Sequence, residues 1–322
     1  METIHRGQGA LASSRRMLRT LLLVQAAGAL AVAAAAMLLA RLGPLAALAL
    51  GLGTVLLARM VITASNFVAS ARVASATPPQ FRLSPWGRAR LFLEEFRATM
   101  LNSSWTMPRA RPRTRIYPDS PVPPLLLLHG YGCNSGYWSR LTPLLDAAHI
   151  SHASIDMEPL LAGIDEFVPQ VAHAIASLCA ASGAARVIVV GHSMGGLVAR
   201  AYLRAHGDAR IAHVFTLGTP HHGTALAERA PGANALQMRR RDRATGPGDG
   251  WLETLAASES PRTRALFTSI YTHHDNIVSP QSSSWLPGAR NIDIGGVGHV
   301  ALGSNSRVLT RLLDEIAKTS IF

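Results

Sequence analysis

Beyond residue 120, short apolar runs alternate with longer stretches in which apolar residues recur every three or four positions. The runs at 125–128, 187–190, 214–217 and 265–271 read as strands buried on both faces, with weaker ones at 153–155 and 291–294. Between them, 165–181, 195–205 and 304–317 have helical spacing. Strands alternating with helices predict βαβ units and a mostly parallel sheet, the α/β class. In such a sheet the functional residues are expected in loops beyond the carboxyl ends of the strands.

The first third of the chain follows a different pattern. Residues 21–40 carry no charge, with Gln25 as the main polar interruption. A helix of that length spans about 30 Å, the thickness of a bilayer's hydrocarbon core. After the break Arg41-Leu42-Gly43-Pro44, a second apolar run extends over 45–68, weakened by Arg59. Residues 1–76 are therefore expected to be a membrane anchor, with candidate transmembrane helices at about 20–40 and 45–68 forming a helical hairpin. A secretory signal peptide is the rival reading, because Arg15 and Arg16 precede the apolar stretch. The first run exceeds the roughly 7 to 15 residues of a signal h-region, however, and a second run follows it. Arg15, Arg16 and Arg19 precede the hairpin, Arg72, Arg82, Arg88 and Arg90 follow it, and Arg41 alone occupies the turn. The positive-inside rule then sets both flanks on the cytoplasmic face; if Arg59 stops the second run from spanning, the remainder of the chain lies across the membrane.

From 77 to 117 the composition shifts to Pro, Arg and aromatic residues, as in Pro78-Pro79 and the alternating arginines 109–115. This stretch is expected to be a linker ahead of a domain at 118–322. Within it, 91–100 has amphipathic spacing and fits either a helix lying on the bilayer or the domain, or a solvated connector.

A formal charge of +12 and a pI near 11.1 raise the possibility of a nucleic-acid partner. The basic residues are almost all arginine, with Lys318 the only lysine, several flank the apolar runs, and no RNA- or DNA-binding motif accompanies them. Nucleic acid is therefore not an expected partner. Cys133 and Cys179 are too few for a disulfide framework and lack metal-ligand spacing; buried free thiols are expected, with a single bridge as the alternative.

The densest chemistry lies at Val187-Ile188-Val189-Val190-Gly191-His192-Ser193-Met194-Gly195-Gly196, a Gly-x-Ser-x-Gly run between a β-branched strand and a helical pattern. A strand that turns this sharply into a helix needs glycines where a Cβ would clash, and it raises the serine hydroxyl over a helix N-terminus. The segment resembles the nucleophile elbow of the α/β-hydrolase superfamily, and within it the bacterial lipases and esterases. The resemblance runs from about residue 123 to the C-terminus and leaves the N-terminal third unexplained.

What the resemblance implies can be assigned residue by residue. The strand ending in His129-Gly130-Tyr131-Gly132 is similar to the loop that supplies one oxyanion donor, so the backbone amides of Tyr131 and of Met194, the residue after the serine, are the candidate pair. His129 is expected to shape that loop by a hydrogen bond. Serine needs a base to take its proton and a carboxylate to orient that base. Asp275, in His273-His274-Asp275-Asn276-Ile277-Val278, resembles the Asp-x-x-Val turn that carries the acid, and His299, in a glycine-rich loop after the last strand, is the candidate base. The order Ser193, Asp275, His299 matches the superfamily. His273 and His274 sit too close to the acid to turn back on it, His192 lies inside the elbow, and Asp293 is expected to be structural.

Leu217-Gly218-Thr219-Pro220-His221-His222-Gly223-Thr224 is similar to a segment of true lipases, with His221 and His222 as structural residues. The insertion at about 225–263, with Arg239–Arg243 and the breakers of 246–250, is expected to form a cap or lid, or else a surface excursion. Its basic residues would lean on anionic lipid or face solvent. The resulting expectation is an α/β-hydrolase domain with a cap, preceded by a membrane hairpin in a bacterial inner membrane. It would hydrolyse hydrophobic esters with no metal or organic cofactor. An acyltransferase or thioesterase using the same triad, and a catalytically dead membrane-tethered binding protein, are the alternatives.

Overall fold

The computed structural model describes residues 13–240 and 250–319. Seven strands form one sheet in the order β1-β3-β2-β4-β5-β6-β7. They are β1 Thr114–Arg115, β2 Leu125–Leu128, β3 His152–Ser154, β4 Val187–His192, β5 Ile211–Leu217, β6 Phe267–Thr272 and β7 Arg290–Ile294. Every neighbouring pair is parallel except β1 with β3.

The two faces of the sheet explain why its central strands β2 and β4 read as unbroken apolar runs at 125–128 and 187–190. Leu126, Leu128, Val187 and Val189 turn to one side and pack with Val171, Ile175, Leu197 and Val198, which lie on helices α6 (Val168–Ser182) and α7 (Met194–His206). Leu125, Leu127, Ile188 and Val190 turn to the other side, against Trp138, Leu141, Leu145 and the Val308, Leu312 and Ile316 stripe of helix α11 (Ser306–Ala317). Successive residues of a strand point to opposite faces, so a sheet covered on both sides buries every position.

Ahead of the sheet, helices α1 (Ser14–Ala40) and α2 (Pro44–Ala71) form an antiparallel hairpin. Each is about 40 Å long at 1.5 Å per residue, so both are long and apolar enough to cross a membrane. Buried Ala29, Ala33 and Ala36 meet Ala47 and Gly51, small residues that let the two backbones approach. Leu23, Leu38, Leu39 and Leu45 point outward at 71%, 80%, 86% and 84% exposure. Helix α2 runs straight through Arg59, whose guanidinium donates to Gln25 Oε1 at 2.5 and 2.9 Å and to Ser104 Oγ at 2.7 Å.

Residues 77–117, expected to be a linker, are instead a structured strap. A 3-10 turn at Pro79–Phe81 leads to helix α3 (Pro85–Leu101), a π-helical turn at Asn102–Thr106, the short helix α4 (Met107–Arg109) and the edge strand β1. Ser84 Oγ caps α3 by accepting from Gly87 N at 3.1 Å, and Pro85 occupies the first turn, where its missing N–H costs nothing. The helix docks because Leu91, Glu95 and Ala98, spaced four and three residues apart, form one buried stripe. The amphipathic spacing of 91–100 falls on this helix, and of the alternatives it left open the structure shows the helix lying on the domain.

Both cysteines are free, so the single-bridge alternative does not hold, and burial pushes the Cys133 thiol up to about 12. In the 225–263 insertion, a 3-10 turn at Ala225–Arg229 is followed by helices α8 (Ala233–Gln237), α9 (Trp251–Ala257), which contacts α7, and α10 (Pro261–Ala265), which contacts β6. Arg241, Asp242 and Arg243 of the basic run, and 246–249 of the breaker run, lie outside the described residues.

Candidate active site

Ser193 sits between β4 and α7 with φ 53° and ψ −123°, a combination that non-glycine residues rarely adopt. Such strain, of order 1–3 kcal/mol, persists only where the surroundings over-determine it. Here Ser193 N donates to Leu217 O at 2.9 Å, and Ser193 O accepts from Thr219 Oγ1 at 2.9 Å and Gly196 N at 3.1 Å. The turn is tight enough that a Cβ on Gly191 would fall 2.6 Å from Gly196 N and one on Gly195 2.4 Å from Leu128 O. The spacing of the Gly-x-Ser-x-Gly run is thus a steric requirement.

The loop after β2 comes up beside the serine, so close that a methyl on Gly130 would lie 2.9 Å from Ser193 Cβ. Neither Tyr131 N nor Met194 N donates to another group among the described residues, and Met194 opens α7, where no preceding helical carbonyl is available. His129 shapes this loop as expected: Nδ1 donates to Gly130 O at 2.9 Å and Nε2 accepts from Met157 N at 2.9 Å. Burial holds its pKa below the ordinary histidine value. The Tyr131 hydroxyl donates to Pro231 O at 2.7 Å and so ties the same loop to the 225–263 insertion.

Asp275 and His299 lie beyond β6 and β7. Asp275 Oδ1 accepts from Ile277 N at 2.8 Å and Val278 N at 2.7 Å, a side-chain-to-backbone turn that fixes the carboxylate. Its other oxygen, Oδ2, accepts from His299 Nδ1 at 2.8 Å, which leaves Nε2 as the nitrogen with a free lone pair. Asp275, His299 and Ser193 are all buried. Burial alone would lower the His299 pKa, but the charge and hydrogen bond of Asp275, aided by Glu95, carry it above the ordinary value.

The competing groups are engaged elsewhere. His273 Nε2 lies 3.0 Å from Asp293 Oδ2, His274 Nδ1 accepts from Gly296 N, and His222 Nε2 donates to Trp285 O. His221 is enclosed near Thr216 and Ser269, and burial pushes its pKa well below the usual value. Among the described residues no group of three or more His, Cys, Asp or Glu side chains is arranged to hold a metal.

Several residues of the site carry no motif. Asn276 Oδ1 accepts from His299 N at 3.0 Å, and His192 Nε2 donates to His299 O at 3.2 Å. The Asp275 carbonyl accepts from Gln281 Nε2 at 2.8 Å and from Ser70 Oγ, on the last turn of α2, at 2.9 Å. Arg200, 1% exposed, pairs with Glu259 and donates to His221 O, pinning the loop after β5. The available signal for Arg200 and Glu95 was a charge set at a position whose helical spacing marks it as buried.

A family model described as the α/β hydrolase fold matches residues 123–250. Two curated relatives, triacylglycerol lipases of Pseudarthrobacter phenanthrenivorans and Burkholderia plantarii, are each 43% identical over 54 residues. That segment is 17% of this chain and 17% and 15% of the respective relatives, so the chain matches about a sixth of their length. Among solved structures, the mature form of a Bacillus licheniformis lipase superposes with a TM-score of 0.56 at 18% identity, over 66% of this chain and 98% of that one. Aspergillus fumigatus lipase B gives a TM-score of 0.53 at 19% identity, over 63% of this chain and 54% of that one. The parallel sheet, the strained serine at the strand-to-helix turn and the matching family model agree, and the chain has the α/β-hydrolase fold.

Proposed function

We propose that this chain is a membrane-anchored serine hydrolase that cleaves hydrophobic carboxylic esters through an acyl-enzyme. The observation that carries the reading is the buried Asp275–His299 pair, joined at 2.8 Å, on loops at the same sheet edge as a serine strained to φ 53°.

Serine is a weak nucleophile at neutral pH. His299 Nε2 takes the Ser193 hydroxyl proton as Oγ attacks the ester carbonyl carbon. The carbonyl oxygen becomes an oxyanion and is received by the Tyr131 and Met194 amides, each worth about 100- to 1,000-fold in rate. Collapse expels the alcohol, which leaves with the proton from His299, and the acyl group stays on Ser193 Oγ. Water then gives a proton to the same Nε2, attacks the acyl carbon and releases the carboxylic acid, and His299 returns the proton to Ser193. Asp275 keeps Nδ1 protonated and balances the imidazolium charge.

The placement of the hairpin supports a bilayer-borne ester. Arg15, on the first turn of α1, reaches Asp156 beyond β3 at 3.2 Å, and Ser70, on the last turn of α2, reaches the loop beyond β6. Both helices thus rise from the sheet edge that carries Ser193. The lipase names of the curated relatives agree with that substrate class. Arginines on both flanks of the hairpin support a bacterial inner membrane with the catalytic domain on its cytoplasmic face.

The test is hydrolysis of a p-nitrophenyl ester series by membranes containing the full chain or Ser193→Ala. The reading expects turnover that depends on Ser193, increases toward longer acyl chains and yields free acid. A product captured by an added alcohol or thiol in preference to water would make the protein an acyltransferase or thioesterase, and a folded chain with no turnover would overturn the reading.

A further inference from the structure

Glu95 is 1% exposed, on the stripe of α3 that faces the C-terminal loops. Its partners are backbone amides: Oε1 accepts from Val300 N at 3.0 Å and Oε2 from Ala301 N at 2.9 Å. These two residues directly follow His299, whose own backbone is already fixed by Asn276 and His192. A buried carboxylate is costly unless it is well bonded, and neither Gln nor Asn could accept from both amides with both tip atoms. Burial raises the Glu95 pKa above the usual carboxylate range, while the two amides and His299 pull against that rise. Asp275, His192 and Tyr137 are the other titratable groups that face Glu95 or His299.

We propose that Glu95 is a positioning residue for His299. It clamps the 299–301 loop from the strap and sets a second negative charge opposite the imidazolium that forms when Ser193 gives up its proton. The segment joining the hairpin to the domain is then part of the catalytic apparatus. The inference rests on the Ser193–His299 reading.

Its consequences are separable from those of packing. Without the Glu95 charge, His299 binds its proton less tightly, so the acid limb of the rate profile moves to lower pH. The imidazolium is also less stabilised and the loop less constrained, so kcat falls while KM changes little.

The experiment compares full-length wild type, Glu95→Gln, Glu95→Ala, the neighbouring control Glu94→Gln and Ser193→Ala in detergent. It reads p-nitrophenyl ester kcat and KM, and the rate of fluorophosphonate labelling against pH, with thermal melts to establish folding. Glu94 binds Asn305 at the head of α11 rather than the His299 loop, so its variant should keep the wild-type profile. Glu95→Gln should lose about tenfold in kcat and labelling rate, with KM within about twofold and the acid limb shifted down, since small displacements of a catalytic group cost up to about 100-fold. Glu95→Gln keeps the shape of the side chain and carries the test if Glu95→Ala does not fold. A folded Glu95→Gln with wild-type kcat and an unshifted limb, beside a dead Ser193→Ala, would overturn the role of Glu95 and leave the hydrolase reading standing. A folded wild type that neither labels nor turns over would overturn both.

Discussion

The Ser193 turn and the Glu95 strap are built by opposite means. Ser193 is fixed by residues within 26 positions of it: glycines 191 and 195 admit the turn, and contacts from Leu217, Thr219 and Gly196 hold its backbone. Glu95 matters because of residues more than 200 positions away, at Val300 and Ala301. On the proposed reading, contacts close in sequence set the nucleophile, and long-range packing supplies the scaffold on which its base stands. Removing the first should abolish the reaction with little effect on folding, whereas loosening the second should change rates and stability by graded amounts.

The largest expected effect is on the local side. Ser193→Ala or His299→Ala should reduce ester hydrolysis by 10⁴-fold or more, and Asp275→Asn by about 10⁴-fold, through the wrong His299 tautomer, with melting temperatures close to wild type. Steady-state kinetics and thermal melts on the same preparations check both halves of that statement.

Long-range packing is broken most severely at Arg200. Arg200→Ala leaves Glu259 buried without its bidentate partner and frees the His221 carbonyl, and should cost about 3–5 kcal/mol in a denaturant titration of the solubilised protein. Among the described residues Glu259 then keeps Arg264, at 3.2 Å. A loss below 1 kcal/mol would mean that the pair does not hold the loop after β5.

Protons sharpen the comparison, because His299 and the other buried histidines are shifted in opposite directions. Burial depresses the pKa values of His129, His192, His213, His221, His222 and His274 below 6.5, His213 to about 4. For each of these the unfolded chain binds its proton first as pH falls. The stability they confer is present above about pH 6.5 and is lost as pH drops through the folded values. His299 has the opposite sign: its raised pKa favours the folded state below about 6.5, a contribution lost as pH rises through its folded value. With six groups opposing one, the melting temperature should drop between pH 7.5 and 5. The proposed mechanism needs His299 neutral, so the acid limb of kcat/KM should lie above pH 6.5. A limb below that value would mean that Asp275 does not hold the imidazole as described.

The smallest effect is expected at the tie between the oxyanion loop and the 225–263 insertion. Tyr131→Phe removes one partly exposed hydrogen bond to Pro231 O and should cost about 0.5–1.5 kcal/mol, with a modest change in KM and kcat nearly unaltered.

How much of this was legible in the sequence follows the same division. The apolar runs located all six principal strands, most clearly β2 and β4, which are covered on both faces, and more weakly β3 and β7, which carry His152, Ser154, Arg290, Asn291 and Asp293. The two long helices of the hairpin were legible because their composition is uniform. Ser193, Asp275 and His299 were named from local motifs, and the structure brings Asp275 and His299 into contact at the serine's edge of the sheet. The two-residue strand at Thr114–Arg115 escaped notice because its pairing with Ala153 and His152 is made by the backbone and leaves no side-chain signature. The prolines and arginines of 77–117 read as a linker, while the amphipathic spacing at 91–100 already points to the helix that docks there. A carboxylate within the buried stripe of that helix is uninterpretable until the C-terminal loop is set against it. Ser70 is similar: a small hydroxyl near the end of an apolar helix looks unremarkable until its bond to the Asp275 carbonyl is known.

The central claim is that Ser193 is the nucleophile, and mapping a covalent adduct tests it most directly. Full-length protein in membranes is treated with a fluorophosphonate, digested and analysed by mass spectrometry, with and without competing ester. The account predicts a single adduct on the peptide containing Ser193, suppressed by the ester and absent from Ser193→Ala. An adduct on another residue, or none on folded wild-type protein, would contradict it.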